Sequence, residues 1–306
     1  MRGHILGFRY SRCCLIGALF TPASIIHHRV NQDEIQSNCI AFNPIVAIHH
    51  MRIEKHSSPE NAAEFYTQKD DVFGRIAGRY DLLCDLFSLG IHRYWKRRVA
   101  RVIAEEPWSR LLDCATGTGD IILRVLNHKE IQQGQKIIAS DISPQMLAIA
   151  QKRLINVNPS VEFRVLDAHS MPDLPAGSVD LYSISLGLKI CERKNVLREA
   201  LRILRPGGRL VILESSNIPW QWLYRLYCLY MNWCVPVIGW IATRGDSSAY
   251  RYLLRGMENF PTAEKFAEEL ASLGFKNISF ERLTLGIVAI HKARKPAMES
   301  DSDHTA

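Results

Sequence analysis

Small and acidic residues follow three apolar segments of the sequence, at the places where a strand would end. They are Asp113, Gly117 and Gly119 after the first segment, Asp141 at the end of the second, and Asp167 with Ala168 after the third. Glycine lets the backbone approach a ligand without a Cβ collision, and an acid after the second strand accepts hydrogen bonds from ribose hydroxyls. We predict that these residues bind a nucleoside, with ordinary turn residues of a ligand-free α/β fold as the alternative.

The glycine turn is incomplete as a dinucleotide fingerprint. The pattern G-x-G-x-x-G requires a third glycine where this sequence has Ile122. A pyrophosphate site is therefore disfavoured, while the ribose and adenine contacts remain. S-adenosylmethionine fits this pattern, because it carries one ribose, one adenine and a charged methionine end without any phosphate.

Alternating apolar strands and helical patterns must position these residues. The predicted strands are Arg110–Ala115, Lys136–Asp141, Val161–Asp167, Val179–Leu186 and Arg209–Glu214, followed by a hairpin of Asn277–Thr284 and Ile287–His291. Such alternation is typical of a parallel sheet with helices on both faces. We predict an α/β fold with a doubly wound, mostly parallel seven-stranded sheet and one reversed strand. Ligands of such sheets bind at the carboxyl ends of the strands.

The composition is that of a globular protein in a reducing compartment. Hydrophobic residues make up 47% of the chain, and none of its eight cysteines forms a C-x-x-C pair. We therefore predict no zinc site and no other metal. The net charge is +7, but the clearest basic run is short, Lys96-Arg97-Arg98 with Arg101. We interpret it as a solvated helix face or an anionic-lipid contact, and expect no nucleic-acid partner.

Residues 1–57 are predicted to be a disordered leader without chemistry. No acidic residue precedes Asp33, which is typical of a mitochondrial presequence. Met51 opens M-R-I-E-K, a plausible true start, and the leader is then a gene-model extension, the interpretation we favour. A gene-model extension implies that the protein is in the cytoplasm, peripheral to the inner membrane. A presequence implies the matrix side of the mitochondrial inner membrane. The folded domain, a methyltransferase domain, is predicted at 58–295 and a disordered tail at 296–306.

Two longer stretches have a specific spacing of polar residues. Tyr80–Trp95 has the sequence YDLLCDLFSLGIHRYW, and Arg202–Ser216 has the sequence RILRPGGRLVILESS. They resemble two signatures of the ubiquinone/menaquinone-biosynthesis C-methyltransferase family (UbiE/MenG), Y-D-x-M-N-x-x-x-S-x-x-x-H-x-x-W and R-V-L-K-P-G-G-x-x-x-x-x-E-x-S. The resemblance covers about 70–293. It implies a class I methyltransferase fold with a helical N-terminal lid and a helical insertion after strand five.

The resemblance also implies a reaction, the C-methylation of a polyprenylated quinol. S-adenosylmethionine is the implied co-substrate, and the family's binding positions fall on Thr118, Asp141, Asp167, Ala168 and Ser185. Two alternatives stay open at this point. One is a methyltransferase of the same fold that acts on another aromatic or lipid, and the other is a non-catalytic subunit of a quinone-biosynthesis complex.

The catalytic candidates come from the first signature and from the end of the fourth strand. A phenol must lose its proton before its ring carbon becomes a strong nucleophile, so a base or a cation is needed. His92 is the candidate base, with Tyr80 nearby, and Lys189 is the candidate cation. The segment Leu186–Ile190 departs from the family, because it reads LGLKI where F-G-L-R-N is usual. The alternatives are a helix-capping or packing role for His92 and a solvated charge for Lys189.

An aromatic segment follows the fifth strand. Residues 219–242 contain Trp220, Trp222, Trp233 and Trp240 together with three tyrosines. We predict that 219–257 is a helical cover over the substrate pocket that faces a membrane surface, because a polyprenyl tail must come from lipid. A transmembrane span is disfavoured, since polar residues interrupt the segment. A homodimer or a quinone-biosynthesis complex is left open as a partner.

Overall fold

The computed structural model of the protein describes residues 72–128, 132, 134–157, 161–237, 256–257 and 259–297. The predicted leader at 1–57 lies outside these residues, as do 298–306 of the predicted tail and 238–255 of the predicted cover. Their assignments stay predictions.

The centre of the structure is a seven-stranded sheet. Its strands are β1 Arg110–Cys114, β2 Lys136–Asp141, β3 Val161–Val165, β4 Val179–Ser185, β5 Leu204–Ser215, β6 Lys276–Leu283 and β7 Val288–Arg294. Their order is β3-β2-β1-β4-β5-β7-β6, and β7 runs in the opposite direction to the other six strands. The predicted fold class is confirmed. The strand order reverses between β1 and β4, so the carboxyl ends of β1, β2 and β4 meet at one edge.

Eight α-helices are described between and before the strands. They are α1 Val72–Ile76, α2 Tyr80–Ser88, α3 His92–Ala104, α4 Asp120–His128, α5 Pro144–Leu154, α6 Arg193–Ile203, α7 Gln221–Leu229 and α8 Ala263–Ser272. The start of α5 shows why the sequence folds as it does. Ser143 caps it by accepting a hydrogen bond from the Met146 N–H, and a proline occupies its first turn. The strand after α6 starts earlier than predicted, at Leu204, and its pairing with β4 shifts register across Pro206-Gly207-Gly208.

Two hydrophobic clusters cover the two faces of the sheet. Alternate residues of β5 enter different clusters, since Leu210 and Ile212 pack with α6 and α8, while Val211 and Leu213 pack with α3 and α4. This alternation is what a strand buried on both faces requires. Each fully buried Leu or Ile contributes roughly 1.5–3 kcal/mol, so the sheet holds the loops at its carboxyl edge firmly in place.

The helices α2 and α3, which form the predicted N-terminal lid, are fixed to the far end of the chain. The Trp95 indole donates to the Thr284 hydroxyl at 2.6 Å. Thr284 and Leu285 both have positive φ, 46° and 57°, in the tight turn between β6 and β7. Gly286 follows, where a Cβ would lie 2.5 Å from the Asn217 carbonyl oxygen. Only glycine fits there, and the turn therefore presents Thr284 to the lid.

The described part of the aromatic segment is exposed. None of the residues of α7 is buried, and Trp222 and Trp233 are 65% and 56% exposed. After α7 the chain continues as a π-helical turn, Tyr230–Cys234. The Tyr230 hydroxyl lies 3.3 Å from the carbonyl oxygens of Leu86 and Phe87, which ties this segment to the end of α2. Among the described residues, none of the helices combines the length and apolarity that a membrane span requires.

Candidate active site

A buried carboxylate joins the strands beneath the candidate site. Asp113 at the end of β1 is 1% exposed and accepts hydrogen bonds from the hydroxyls of Ser183 and Thr116, both at 2.6 Å. Burial raises the pKa of Asp113 to about 6, although both hydroxyls oppose that shift. Asp113 thus links β1, β4 and the start of the glycine turn, and it lines the pocket described below. The predicted contact of Asp113 with a ligand stays a prediction.

The glycine turn has a backbone that few other residues could adopt. Gly117 and Gly119 have φ of 57° and 78°. A Cβ at Gly119 would lie 2.8 Å from the Leu154 side chain, while one at Gly117 would meet no atom within 4 Å. Gly119 is therefore required by packing against α5, and Gly117 by its positive φ. The space over Gly117 is where a ligand can approach the backbone.

Asp141 holds this turn in shape from the end of β2. One carboxylate oxygen accepts the Gly117 N–H at 2.8 Å and the other accepts the Ser143 N–H at 2.9 Å. The acid after the second strand thus orders the glycine turn and is half-buried beside it.

The end of β3 is fixed through a histidine. One carboxylate oxygen of Asp167 accepts from the His169 N–H at 2.9 Å and lies 2.6 Å from the His169 Nδ1. The other ring nitrogen, Nε2, accepts the Glu192 N–H at 2.9 Å, so Nδ1 carries the proton. Asp167 is exposed, and Ala168 packs against the core. His169 was not predicted, and its role here is to hold Asp167 in place.

A pocket lies over the glycine turn. Its lining is Tyr80, Lys96, Asp113, Ala115, Thr116, Gly117, Thr118, Asp120, Ile121, Ser185 and Leu186. Five predicted site residues are among them, whereas His92, Gly119, Asp141, Asp167, Ala168 and Lys189 are not. The Ser185 hydroxyl is buried and has no hydrogen-bond partner among the described residues. Buried polar groups rarely stay unpaired, so this hydroxyl is suited to a polar ligand.

The two catalytic candidates in the lid, His92 and Tyr80, differ in their protonation. His92 is 4% exposed, and its Nδ1 lies 2.9 Å from the Ser88 hydroxyl. That hydroxyl donates to the Cys84 carbonyl at 2.6 Å, so Nδ1 must donate and Nε2 is the free acceptor. Burial, then the charge of Lys96, lowers the pKa of His92 to about 4. The pKa of Tyr80 lies well above its usual range, because of neighbouring Cys84 and burial, so Tyr80 stays protonated.

Lys189 lies away from the pocket lining. Its ammonium is 3.2 Å from a carboxylate oxygen of Glu214, and it also donates to the Leu186 carbonyl. Glu214 is fully buried and accepts in addition from the Lys189 N–H and from the N–H and hydroxyl of Ser215. The arrangement fixes the loop after β4 to the end of β5. The role of Lys189 towards a phenolate stays a prediction.

Lys96 is the functional candidate that sequence analysis missed. It was assigned to a solvated basic patch, and this is wrong, because Lys96 is 7% exposed and its Nζ lies 3.0 Å from Asp120. Arg97, the next residue, is exposed as expected. The helical spacing carried the signal, since Lys96 shares one stripe with Trp95, Val99 and Ile103, all buried.

A second missed contact pins the lid to the glycine turn. The Thr118 hydroxyl donates to Asp81 in α2 at 2.8 Å. Arg153 in α5 donates to the other Asp81 oxygen at 2.5 Å and to the Thr118 hydroxyl at 3.2 Å. Thr118, predicted as a ligand contact, therefore also joins the lid to the sheet. No sequence signal relates Asp81 to a residue so distant along the chain.

Fold and site together define a class I S-adenosylmethionine methyltransferase architecture. A solved structure of human N-acetylserotonin methyltransferase in complex with SAM has a TM-score of 0.51 and 20% identity, covering 76% of this chain and 61% of that chain. A SAM-dependent methyltransferase from Thermotoga maritima has a TM-score of 0.52 and 17% identity, covering 73% and 98%. At these identities the likeness concerns the fold alone.

The sequence comparisons define the family. The model of the ubiE/COQ5 methyltransferase family matches residues 62–295, and the chain belongs to this family. The 2-methoxy-6-polyprenyl-1,4-benzoquinol methylase, mitochondrial, of Caenorhabditis elegans is 35% identical over 257 residues, 79% of this chain and 88% of the relative. The ubiquinone/menaquinone biosynthesis C-methyltransferase UbiE of Rickettsia felis is 37% identical over 239 residues, 75% and 95%. The resemblance found in the two signatures is thereby confirmed, and the chain is a methyltransferase.

Proposed function

We propose that this chain transfers a methyl group from S-adenosylmethionine to a ring carbon of a polyprenylated quinol, in ubiquinone or menaquinone biosynthesis. Family membership and the names of the two relatives support the reaction. The observation that carries it in the structure is the pocket over Gly117, with the unpartnered Ser185 hydroxyl and a lid helix above the glycine turn. We propose no metal in this reaction.

The residues at the carboxyl edge fit S-adenosylmethionine. Asp141 would accept from the ribose hydroxyls, with Asp167 and Ala168 at the adenine, while Thr118 and Ser185 would meet polar groups over the glycine turn. Open space over Gly117 lets the ligand reach the backbone. When bound, the co-substrate supplies an electrophilic methyl group on a sulfonium. The chain's own task is then to align the acceptor and to exclude water.

The acceptor must lose its phenolic proton before the ring carbon is methylated, and His92 and Tyr80 are the lid residues to consider. A phenol has a pKa near ~10, and His92 has a pKa of about 4. Transfer of the phenolic proton to His92 is therefore unfavourable by roughly a millionfold at equilibrium. Tyr80 stays protonated and serves as a hydrogen-bond donor at the pocket. The phenolic proton instead leaves to water.

The acceptor's polyprenyl tail requires a route from lipid. The exposed aromatic residues of α7, tied to the end of α2 through Tyr230, form an apolar surface next to the lid. We propose that this surface meets the membrane, with the chain peripheral to it. The C. elegans relative is named as mitochondrial. Imaging the full chain beside a form that starts at Met51, each fused to a fluorescent protein, separates the matrix side from the cytoplasm.

The test is methyl transfer from labelled S-adenosylmethionine by the purified full chain. The acceptors are demethylmenaquinol and a methoxy-polyprenyl-benzoquinol, each freshly reduced and kept under anaerobic conditions. Label in either quinol supports the function, names the pathway and excludes a non-catalytic subunit. A chain that binds the co-substrate and labels neither quinol contradicts the proposal, and a panel of other phenols then tests whether the LGLKI segment selects another acceptor.

A further inference from the structure

One cation inside the pocket has hydrogen-bonding capacity to spare. The side chain of Lys96 is 9% exposed, and among the described residues its ammonium has one acceptor, Asp120 at 3.0 Å. An ammonium has three N–H donors, so two remain for a ligand. Asp120 begins α4 directly after the glycine turn, and Arg124 lies 3.0 Å from its other oxygen. Lys96 therefore spans from the lid helix to the turn that would bind the co-substrate.

The other buried lysine is not comparable. Lys189 donates both to Glu214 and to a backbone carbonyl, and it does not line the pocket. Among the described residues that line the pocket, Lys96 is the cation. The titratable groups whose pKa values its charge lowers lie on the lid, on β1 and on α4: Cys84, Asp85, His92, Asp113 and Asp120.

The charge of Lys96 reaches the groups around the pocket. It lowers the pKa values of His92, Cys84 and Asp113, each on a different side of it. His92 lies one helical turn before Lys96 on the same buried face of α3. The hydrogen-bond acceptor and the cation of the lid are thus presented together. An anionic oxygen that enters beside Lys96 meets a positive charge.

We propose that Lys96 binds and stabilises the anionic oxygen of the quinol acceptor, the role that sequence analysis gave to Lys189. This proposal rests on the proposed function. The phenol gives its proton to water and Lys96 keeps its own, so the oxyanion is paired with an ammonium in a water-poor pocket. The ring carbon then forms the new bond to the methyl group while the bond from that methyl to sulfur breaks and its electron pair stays on sulfur. Loss of the ring proton to water restores the aromatic phenolate, whose oxygen takes up one proton from water to give the methylated phenol.

A carboxylate at the methionine end of the co-substrate offers the same chemistry as a phenolate. The phenolate is favoured because Lys96 belongs to the lid and shares its face with His92, whereas the co-substrate's predicted contacts lie on the sheet. The two sources differ in what a substitution would change. Loss of a phenolate contact alters the rate and its pH dependence, and loss of a carboxylate contact alters the affinity for the co-substrate.

The experiment compares Lys96→Met with Lys96→Arg, which keeps the charge, and with Arg97→Met as the exposed control on the same helix. Calorimetry gives the Kd for S-adenosylmethionine, and anaerobic kinetics give kcat and KM for the quinol between pH 6 and 10. Removal of one oxyanion donor costs about 10²–10³ in kcat, and we expect a loss of this size for Lys96→Met at pH 7. The loss should shrink as the pH approaches that of free phenol ionisation. We expect Kd within about twofold of the parent, partial recovery with Lys96→Arg and no change with Arg97→Met.

Folding is checked by thermal melting, because Lys96→Met leaves Asp120 without its lysine. The double variant Lys96→Met/Asp120→Asn removes that imbalance and should show the same kinetic defect. A rise in the Kd for S-adenosylmethionine of tenfold or more, with an unchanged pH profile, would assign Lys96 to the methionine carboxylate and overturn the proposal. An unchanged kcat overturns it too. A parent chain that methylates neither quinol sinks the proposed function itself, and this proposal with it.

Discussion

Two lysines, Lys96 and Lys189, are each 7% exposed and each paired with a carboxylate near the carboxyl ends of the strands. Their surroundings differ. The partner of Lys189 is Glu214, which is fully buried and accepts four hydrogen bonds within the protein. The partner of Lys96 is Asp120, at the rim of the pocket. Lys189 donates to two groups of the protein and does not line the pocket, so its pair holds the fold. Lys96 donates to one group and lines the pocket, so it has donors left for a ligand.

The largest effect on stability should come from breaking the pair of Lys189 with Glu214. Breaking a buried pair by removing one charge costs about 3–5 kcal/mol, because the other charge stays buried and unpaired. We expect Glu214→Gln to lower the free energy of unfolding by about this amount in urea titrations. Glu162→Gln removes an exposed partner of Arg164 and should cost at most about 1 kcal/mol. Equal effects of the two variants would show that the Lys189 pair is not structural.

His92 sharpens the comparison through pH, since burial and the Lys96 charge keep its folded pKa at about 4. The unfolded chain, with a His pKa near ~6.5, binds the proton first as the pH falls. This histidine therefore costs stability between about pH 6.5 and 4, and the cost vanishes as the pH rises. We expect His92→Gln to be less destabilising at pH 5 than at pH 7, by about 1–2 kcal/mol.

The measurement is urea unfolding of both proteins at the two pH values. Asp113 opposes the trend in the parent, because its raised pKa of about 6 makes stability fall as the pH rises through about 4 to 6. The difference between parent and His92→Gln cancels that contribution, as it does all other shared groups. A difference that is the same at both pH values would contradict the buried, neutral state of His92.

A third charged contact, Asp81 with Arg153 and Thr118, joins the lid to the sheet and is more exposed. We expect Asp81→Asn to change the free energy of unfolding by at most about 1 kcal/mol. It should still weaken S-adenosylmethionine binding by about threefold to tenfold in calorimetry, because the lid no longer holds Thr118. Asp85→Asn, on the same helix as Asp81, loses the Arg93 pair and a 3.7 Å contact with the His92 Nδ1, and it is the matched control. Equal affinities of the two variants would remove Asp81 from the site.

The smallest effect on the fold is expected where no charge is buried at all. Trp222 and Trp233 are 65% and 56% exposed, so replacing both by Ser should leave the melting temperature within about 2 °C. Binding to vesicles with anionic lipid should nevertheless fall several-fold in co-sedimentation, if the aromatic surface meets the membrane. Ile155→Ser, at an exposed site on another helix, provides the control. Undiminished vesicle binding would assign the membrane contact elsewhere.

The sequence predicted those features that depend on local pattern. Strand periodicity fixed the sheet, and the glycine turn with Asp141 followed from the strand ends, where the structure places them together. Helical spacing also indicated that Lys96 lies on the buried face of α3, but its place in a run of basic residues led to the wrong interpretation. Contacts such as Asp81 with Arg153 depend on how α2 packs against α5. That packing is decided by the whole core, so no short pattern records it.

The hydrogen bond between Trp95 and Thr284 has a consequence for the order of events on the ribosome. The two residues are 189 positions apart, and Thr284 lies in the turn just before β7, which is inserted between β5 and β6. At roughly 5–20 residues per second, synthesis of Thr284 follows that of Trp95 by about 10–40 s. Throughout this interval the lid helix lacks its partner, and the nascent chain cannot close the pocket. We therefore expect the chain to become able to transfer a methyl group only when the last hairpin, β6 with β7, has formed.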